Sequence, residues 1–374
     1  MRVPFYDIKA QYDELAEPLD KAVHEVISSG AYTLGPHHNQ FEREAAELHN
    51  CKHGIALNSG TDALRIMMDA AGIGAGDEVI TTAFTFVASA ETIAQTGAKP
   101  VFVEIDPATF MIDPSRIEAA ITSKTKAILP IHLFGQMADV DAITAIAKRN
   151  NLLVLEDSAQ AFGCTHNGTP TGHFGVAAGF SFYVTKNLGA AGDAGLILTN
   201  DDEIATRCRS MRVHGMGRER YYYDYLGYTS RLDEVQAAVL RVKLTRLSAW
   251  NARRAELAAI YHEELAGCGL ALPVTSPGNN HTWHQFSILT PDRAALMASL
   301  KDDGVDSMIY YPVPLHLHAP YRDFGHGEGS LPETERVCRE IVNLPIQPHL
   351  SDAQVLHAAK SVRKWAESRA TLHA

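Results

Sequence analysis

The sequence predicts an α/β fold: a large domain over residues 1–250 with a central, mostly parallel sheet, and a smaller α+β domain over residues 251–374. Three observations carry this reading. Between residues 54 and 199, short and almost continuously apolar segments alternate with helical patterns, as expected of strands covered by helices on both faces. Past Asp201 the alternation stops, and a polar aromatic loop and a long amphipathic stretch follow. A length of 374 residues also exceeds what a single core usually serves.

In chain order, Leu15, Leu19, Val23 and Val26 fall at helical spacing and predict a helix over Tyr12–Ser28, broken by Gly30 and Leu34-Gly35-Pro36. A second helix spans Phe41–Leu48. Strands are predicted at Gly54–Leu57, Glu78–Thr81, Pro100–Glu104, Ala127–Ile131 and Leu152–Glu156. Helices at Asp62–Ala71, Val87–Gln95, Ser115–Ile121 and Asp139–Asn150 separate them. Ala178–Tyr183 and Gly195–Thr199 close the series. A helix over Asp201–Arg212 leads into the loop Val213–Thr229. One long helix is then predicted from Asp233 to Leu265, with the domain boundary near Trp250. The remainder reads as a strand at Thr282–Leu289, helices at Arg293–Lys301 and Glu333–Val342, and a last helix from Ser351.

Composition narrows the function. Thirty-three Lys and Arg against 44 Asp and Glu leave a net charge of −11, which argues against a nucleic-acid or anionic-membrane partner. No apolar run approaches a membrane span, and the first residues lack the apolar stretch of a signal peptide. Five scattered cysteines without a C-x-x-C pair point to a reduced, cytoplasmic protein. Gly72-Ile73-Gly74 follows a helix and precedes a strand, the reverse of a dinucleotide fingerprint, so it is a helix-ending turn. His316 and His318 have no Cys or carboxylate cluster beside them, so no metal is expected.

In an open α/β sheet, ligands bind beyond the carboxyl ends of the strands. Three such corners carry unusual groups. Asn58-Ser59-Gly60-Thr61-Asp62 opens a helix with free N–H groups and hydroxyls, which suits a phosphate and equally a plain helix cap. The apolar strand ending in Glu156-Asp157 puts carboxylates where they need a cationic or hydrogen-bonding partner, unless solvent or a helix start satisfies them. Ser181 to Gly195 places Lys186 in a glycine-rich turn after a strand, where a desolvated lysine can form an imine; most lysines simply face water. Together the three make a phosphate cradle, an acid for a ring nitrogen and an imine-forming lysine, the inventory for pyridoxal phosphate.

On these residues the chain resembles the DegT/DnrJ/EryC1/StrS sugar aminotransferases, pyridoxal-phosphate enzymes of aspartate aminotransferase-like fold (type I). The likeness runs from Val3-Pro4-Phe5-Tyr6-Asp7 through Asn58-Ser59-Gly60-Thr61-Asp62-Ala63-Leu64, Phe84-Thr85-Phe86-Val87-Ala88, Glu156-Asp157-Ser158-Ala159-Gln160 and Ser181-Phe182-Tyr183-Val184-Thr185-Lys186. It continues through Ser230-Arg231-Leu232-Asp233-Glu234 and Tyr311-Pro312-Val313-Pro314-Leu315-His316 to Leu344-Pro345-Ile346-Gln347-Pro348. The resemblance implies Lys186 as the Schiff-base and proton-shuttling lysine, Asp157 as partner of the pyridine nitrogen, and Gln160 as partner of the phenolic oxygen. It implies Phe86 as the stacking aromatic and Gly60, Thr61 and Ser181 as the phosphate cradle. It further implies a homodimer with shared active sites, in which the loop bearing Thr229 and Arg231 reaches the neighbour's site.

Two departures stand out. Thr229 occupies a position where most relatives have Asn, and Tyr310-Tyr311-Pro312 replaces a common His-Tyr-Pro. Tyr310-Tyr311-Pro312 together with Arg212-Val213-His214-Gly215 looks most like members acting on nucleotide-linked 3-keto sugars, and the family resemblance implies L-glutamate as amino donor. His214, Arg231, Tyr311, His316 and His284 are candidate substrate contacts, and Tyr221, Tyr222, Tyr223 and Tyr225 could stack on a base or pack in a dimer. The competing readings are a keto-cyclitol (inosose) aminotransferase, a non-catalytic pyridoxal-phosphate-binding regulator, and an NAD-dependent dehydrogenase.

Overall fold

The computed structural model describes residues 1–372; the last two residues of the 251–374 domain lie outside the described residues. Helix α1 (Ile8–Ser29) starts earlier than its apolar pattern because the Asp7 carboxylate accepts the Ala10 N–H at 2.9 Å. It kinks at Leu15, one turn before Pro18, whose ring removes a helical hydrogen bond, and it ends on the left-handed Gly30. Helix α2 (Pro36–Leu48) likewise begins before its stripe. Pro36 opens it, and the buried Glu234 carboxylate accepts the N–H groups of Gly35 and His38, each at 3.0 Å.

The alternating region then builds the sheet. In chain order come β1 (His53–Leu57), α3 (Gly60–Ala70), β2 (Glu78–Thr82), α4 (Ala88–Gln95), β3 (Lys99–Val103), the short α5 (Ile117–Ala120), β4 (Thr125–Ile128), α6 (Val140–Asn150) and β5 (Leu153–Asp157). After a small hairpin, β6 (Thr165–His166) and β7 (Thr169–Pro170), follow β8 (Ala177–Ser181), β9 (Gly195–Thr199) and α7 (Asp202–Met211). Seven strands form one sheet in the order β1-β9-β8-β5-β4-β2-β3. Only β9 runs against the others, so the sheet is mostly parallel and six carboxyl ends share one edge. Ile55, Leu64, Met67, Ile80, Ile128, Leu155 and Ile197 are buried in its core.

Two of the predicted helices need correction. The helix predicted over Asp233–Leu265 is two helices, α8 (Glu234–Leu244) and α9 (Leu247–Leu265). No Gly or Pro marks the break. At the break, the Thr245 hydroxyl bonds back to the Val242 carbonyl at 2.7 Å, which loosens the turn, and Arg246 and Trp250 both reach Glu14 on α1. The helix predicted over Glu333–Val342 stops at Glu340. The chain beyond it forms strand β12, which a β-branched pair, Ile341 and Val342, favours.

The C-terminal elements are β10 (Asn279–Asn280), β11 (Phe286–Leu289), α10 (Arg293–Asp302), α11 (Pro332–Glu340), β12 (Ile341–Leu344) and α12 (Asp352–Leu372). β10 adds to the β6–β7 hairpin, and β11 pairs antiparallel with β12. β11 is shorter than predicted because Thr282–Gln285 bonds elsewhere: the Thr282 and Gln285 N–H groups donate to the Gly135 and Phe134 carbonyls of the large unit. Tyr261, Phe286, Leu296, Leu344 and Val355 form a second core, which also takes Val3 from the N-terminus. Trp250 packs instead with Leu15 and Leu19, so we propose that the domain boundary falls inside α9, between Trp250 and Leu257. Among the described residues no helix is long and apolar enough to cross a membrane, and no group of three His, Cys, Asp or Glu is placed to hold a metal.

Candidate active site

Three strand ends converge on a cavity of about 440 Å³. At the first, Ser59 caps α3 by accepting the Asp62 N–H at 3.1 Å, and the first turn leaves the amides of Gly60 and Thr61 without helical acceptors. Gly60 is required by proximity: a Cβ there would lie 2.5 Å from the Ser181 Cβ. Gly195 is similar, its would-be Cβ falling 2.1 Å from the Ser59 carbonyl oxygen. The start of α3, the end of β8 and the start of β9 therefore touch, and free N–H groups, hydroxyls and a helix N-terminus gather at one point.

At the second corner, Glu156 and Asp157 point to opposite faces of β5, as successive strand residues must. The Glu156 carboxylate is fully enclosed and satisfied. It accepts the N–H groups of Gly172, Phe174 and Gly175 at 3.1, 3.0 and 2.9 Å and the His132 Nε2–H at 3.0 Å. His132 Nδ1 accepts the Ala138 N–H, which leaves Nε2 as the donor. Burial works against the Glu156 charge, but His132 and these amides outweigh it and hold its pKa below the usual value. Asp157 faces the cavity. It has only the Ser89 hydroxyl at 2.6 Å and the Ala159 N–H at 3.2 Å, and burial dominates, raising its pKa.

At the third corner, Lys186 projects from the turn after β8 and lines the cavity. It is partly buried, and this desolvation lowers its pKa from 10.5 to about 8, with the charge of Asp157 pulling the other way. The turn is tight: a Cβ on Gly189 would meet the Val184 carbonyl oxygen at 2.4 Å.

The walls are aromatic and polar. Phe86 is 55% exposed, an apolar ring open to the cavity, 6.4 Å from the ring of Tyr311. Gln160 accepts the Phe134 N–H at 2.8 Å and donates to the Tyr311 hydroxyl at 3.1 Å. Tyr6, His284, Gln285 and Tyr310 close the side toward the C-terminal unit.

Gly60, Thr61, Phe86, Asp157, Gln160, Ser181, Lys186, Tyr311 and His284 thus share one cavity. Thr229, His214, Arg231 and His316 are not among its lining residues. Thr229 and His214 are exposed and pair with each other at 3.0 Å. His316 is buried against Glu335, 3.2 Å away. Sequence reasoning missed Ser89, which lies 68 positions from the carboxylate it holds, and missed Asp193 and Gln285, which only the fold brings to the wall.

The sequence profile of the DegT/DnrJ/EryC1/StrS aminotransferase family matches residues 13–363. A pleiotropic regulatory protein of Geobacillus stearothermophilus is 48% identical over 98% of this chain and 99% of its own length. The dTDP-3-amino-3,4,6-trideoxy-alpha-D-glucose transaminase of Streptomyces venezuelae is 45% identical over 98% and 97%. Among solved structures, S. venezuelae DesV in complex with a ketimine intermediate superposes with a TM-score of 0.95 at 45% identity, covering 98% of this chain and 99% of that one. NtdA from Bacillus subtilis with bound cofactor PMP gives a TM-score of 0.91 at 34% identity, covering 97% and 85%. Profile, identity and fold agree over nearly the whole chain, which belongs to the DegT/DnrJ/EryC1/StrS aminotransferase family.

Proposed function

We propose that this aminotransferase uses pyridoxal phosphate to move an amino group from L-glutamate to the keto group of a nucleotide-linked 3-keto sugar. The observation that carries the reading is the pairing of Lys186 and Asp157 in one cavity, Asp157 buried and Lys186 desolvated enough to lower its pKa, neither in an ion pair with another described residue. The residues fit the cofactor. Gly60 and Thr61, with free first-turn amides, meet Ser181 so closely that a Cβ at Gly60 would clash with its side chain, and Asp157 is a buried carboxylate whose charge needs a cation. Phe86 offers a free apolar face, and the Gln160 amide has a second N–H to give. When bound, the cofactor supplies an electron sink for the carbon that loses its proton.

The remaining work falls to the protein. Asp157 keeps a pyridine nitrogen protonated, with Ser89 and the Ala159 amide orienting its carboxylate. Lys186, with a pKa of about 8, is partly a free amine at working pH and can both take and return a proton at Nζ. Phe86 and Tyr311 exclude water from the reacting face. The preference for a 3-keto sugar is supported by the name of the S. venezuelae relative together with Tyr310-Tyr311-Pro312.

A homodimer is supported by the loop after α7. Tyr221, Tyr222 and Leu226 are 69%, 67% and 96% exposed, and Thr229 and Arg231 stay outside this chain's cavity, free to meet a second copy. The location proposed is the cytoplasm, consistent with five unpaired cysteines. A regulatory role is the second reading, favoured by the G. stearothermophilus relative's name. Absorption spectroscopy separates the two. Adding pyridoxal phosphate should raise a visible band, L-glutamate should bleach it, and a dTDP-linked 3-keto sugar should restore it. A band that no amino acid bleaches would favour the regulator, and no band would remove the cofactor.

A further inference from the structure

His284 and Gln285 lie on the segment that crosses from the C-terminal unit to the large one, held there by the Gly135 and Phe134 carbonyls. Asn187, next to Lys186, fixes the ring of His284. The Asn187 Nδ2 donates to the Thr282 carbonyl at 2.8 Å and to Asn251 Oδ1 at 2.9 Å. A backbone carbonyl only accepts, so the amide has one orientation, with Oδ1 turned to His284 Nδ1 at 3.1 Å. That oxygen also only accepts, so Nδ1 carries the proton and Nε2 keeps a lone pair. Nε2 has no hydrogen-bond partner among the described residues, and His284 lines the cavity. Burial keeps the ring neutral, helped by the charges of Lys186 and Arg254 and by neighbouring His281.

Beside it, the Gln285 Nε2 donates to the Tyr6 hydroxyl at 3.2 Å, and its buried Oε1 has no partner among the described residues. One wall thus holds one acceptor, His284 Nε2, with no donor among the described residues, and its other members, Tyr6, Gln285, Tyr310 and Tyr311, are uncharged. Such a wall cannot neutralise a carboxylate of the amino donor. It suits the hydroxyls of a sugar ring.

We propose that His284 Nε2, held in this tautomer by Asn187, accepts a hydrogen bond from a hydroxyl of the sugar acceptor, which makes His284 a specificity residue and Asn187 its positioning residue. The inference rests on reading the cavity as the site of a nucleotide-linked keto sugar. Two experiments test it. Neutron diffraction from deuterated crystals of the full chain should show deuterium on His284 Nδ1 and none on Nε2; the opposite pattern overturns the proposal whatever the substrate. Stopped-flow spectra can then separate the half-reactions with L-glutamate and with a dTDP-linked 3-keto sugar. His284→Ala should slow the sugar half-reaction about tenfold more than the glutamate half, the size of one lost hydrogen bond. His284→Gln, which keeps an acceptor, should recover part of the loss. Asn187→Leu, which leaves the ring but frees its tautomer, should reproduce part of it. Equal slowing of both halves by His284→Ala, with the wild type active on the sugar, overturns the His284 role alone. A wild type that answers glutamate but no keto sugar overturns the sugar reading itself.

Discussion

Two carboxylates one residue apart on β5 show how burial divides structure from chemistry. Glu156, beneath the sheet edge, is met by three backbone N–H groups and an imidazole N–H, and its charge is stabilised by the protein itself. Asp157, facing the cavity, has one hydroxyl and one amide, and its charge is disfavoured. Equal depth therefore means opposite things. The satisfied acid ties β5 to the Gly172–Gly175 turn, and the under-satisfied one keeps an unmet demand for a cation, which a bound ring can meet.

The comparison breaks most sharply on the cavity side. Lys186→Ala should fold, by circular dichroism, and lose at least about 10⁴-fold in turnover with L-glutamate and a keto sugar, since both proton transfers lose their base. Turnover within tenfold of wild type would show that the cavity is not where the chemistry occurs. The same lysine predicts a pH dependence. With its pKa lowered to about 8, the free amine grows as pH rises, so uptake of pyridoxal phosphate should accelerate with pH and level off above about 8. Levelling only near 10.5 would mean that the ammonium is not desolvated.

Asp157→Asn keeps the shape and removes the charge. Turnover should fall by about 10²–10⁴-fold, while the cofactor-free protein should be no less stable at neutral pH, because a disfavoured charge has gone. Glu156→Gln should do the reverse. Gln cannot accept four donors, so stability should drop by about 3–5 kcal/mol, the cost of breaking a buried charge network, with activity of the folded fraction little changed. The pH signatures differ in sign as well. The Glu156 pKa is lowered on folding, so its contribution is present above 4.5 and is lost as pH falls through the folded value. The Asp157 pKa is raised, so stability falls as pH rises above the ordinary value of 3.8, and the loss is complete once pH passes the folded value. Urea midpoints of both variants across pH 3–7 would show whether the two signs hold.

The same division explains what the sequence revealed. The sheet was legible because parallel strands buried on both faces are written as apolar runs, and the three corners because phosphate, imine and ring-nitrogen chemistry need specific residue types at strand ends. The α8–α9 break was not, since Thr245 is no breaker in itself and only the contacts of Arg246 and Trp250 with Glu14 define the turn. β12 was hidden because Ile341-Val342-Asn343-Leu344 continues the pattern of α11, and only pairing with β11 decides it. Residue chemistry alone could not separate Glu156 from Asp157, because which face of β5 meets the cavity depends on the packing of the Gly172–Gly175 turn; only the family resemblance picked out Asp157.

The smallest effect expected on the cavity side tests the cause of the Asp157 asymmetry. Ser89 supplies the shorter of its two hydrogen bonds and is itself met by the Thr85 hydroxyl at 2.9 Å, so the pair acts as a chain that orients one carboxylate oxygen. Ser89→Ala removes that donor without adding bulk. The Asp157 pKa should rise further, because the hydroxyl was lowering it. Loss of one hydrogen bond to a charged group corresponds to roughly 1.5–3 kcal/mol, or about 10- to 150-fold. Turnover should fall toward the lower end of that range, since a bound ring cation still supports the charge. The loss should deepen as pH falls, when protonation competes with ring binding. A pH-independent loss would mean that Ser89 orients Asp157 without tuning its charge, and no loss would mean that the Ala159 amide and the ring are sufficient.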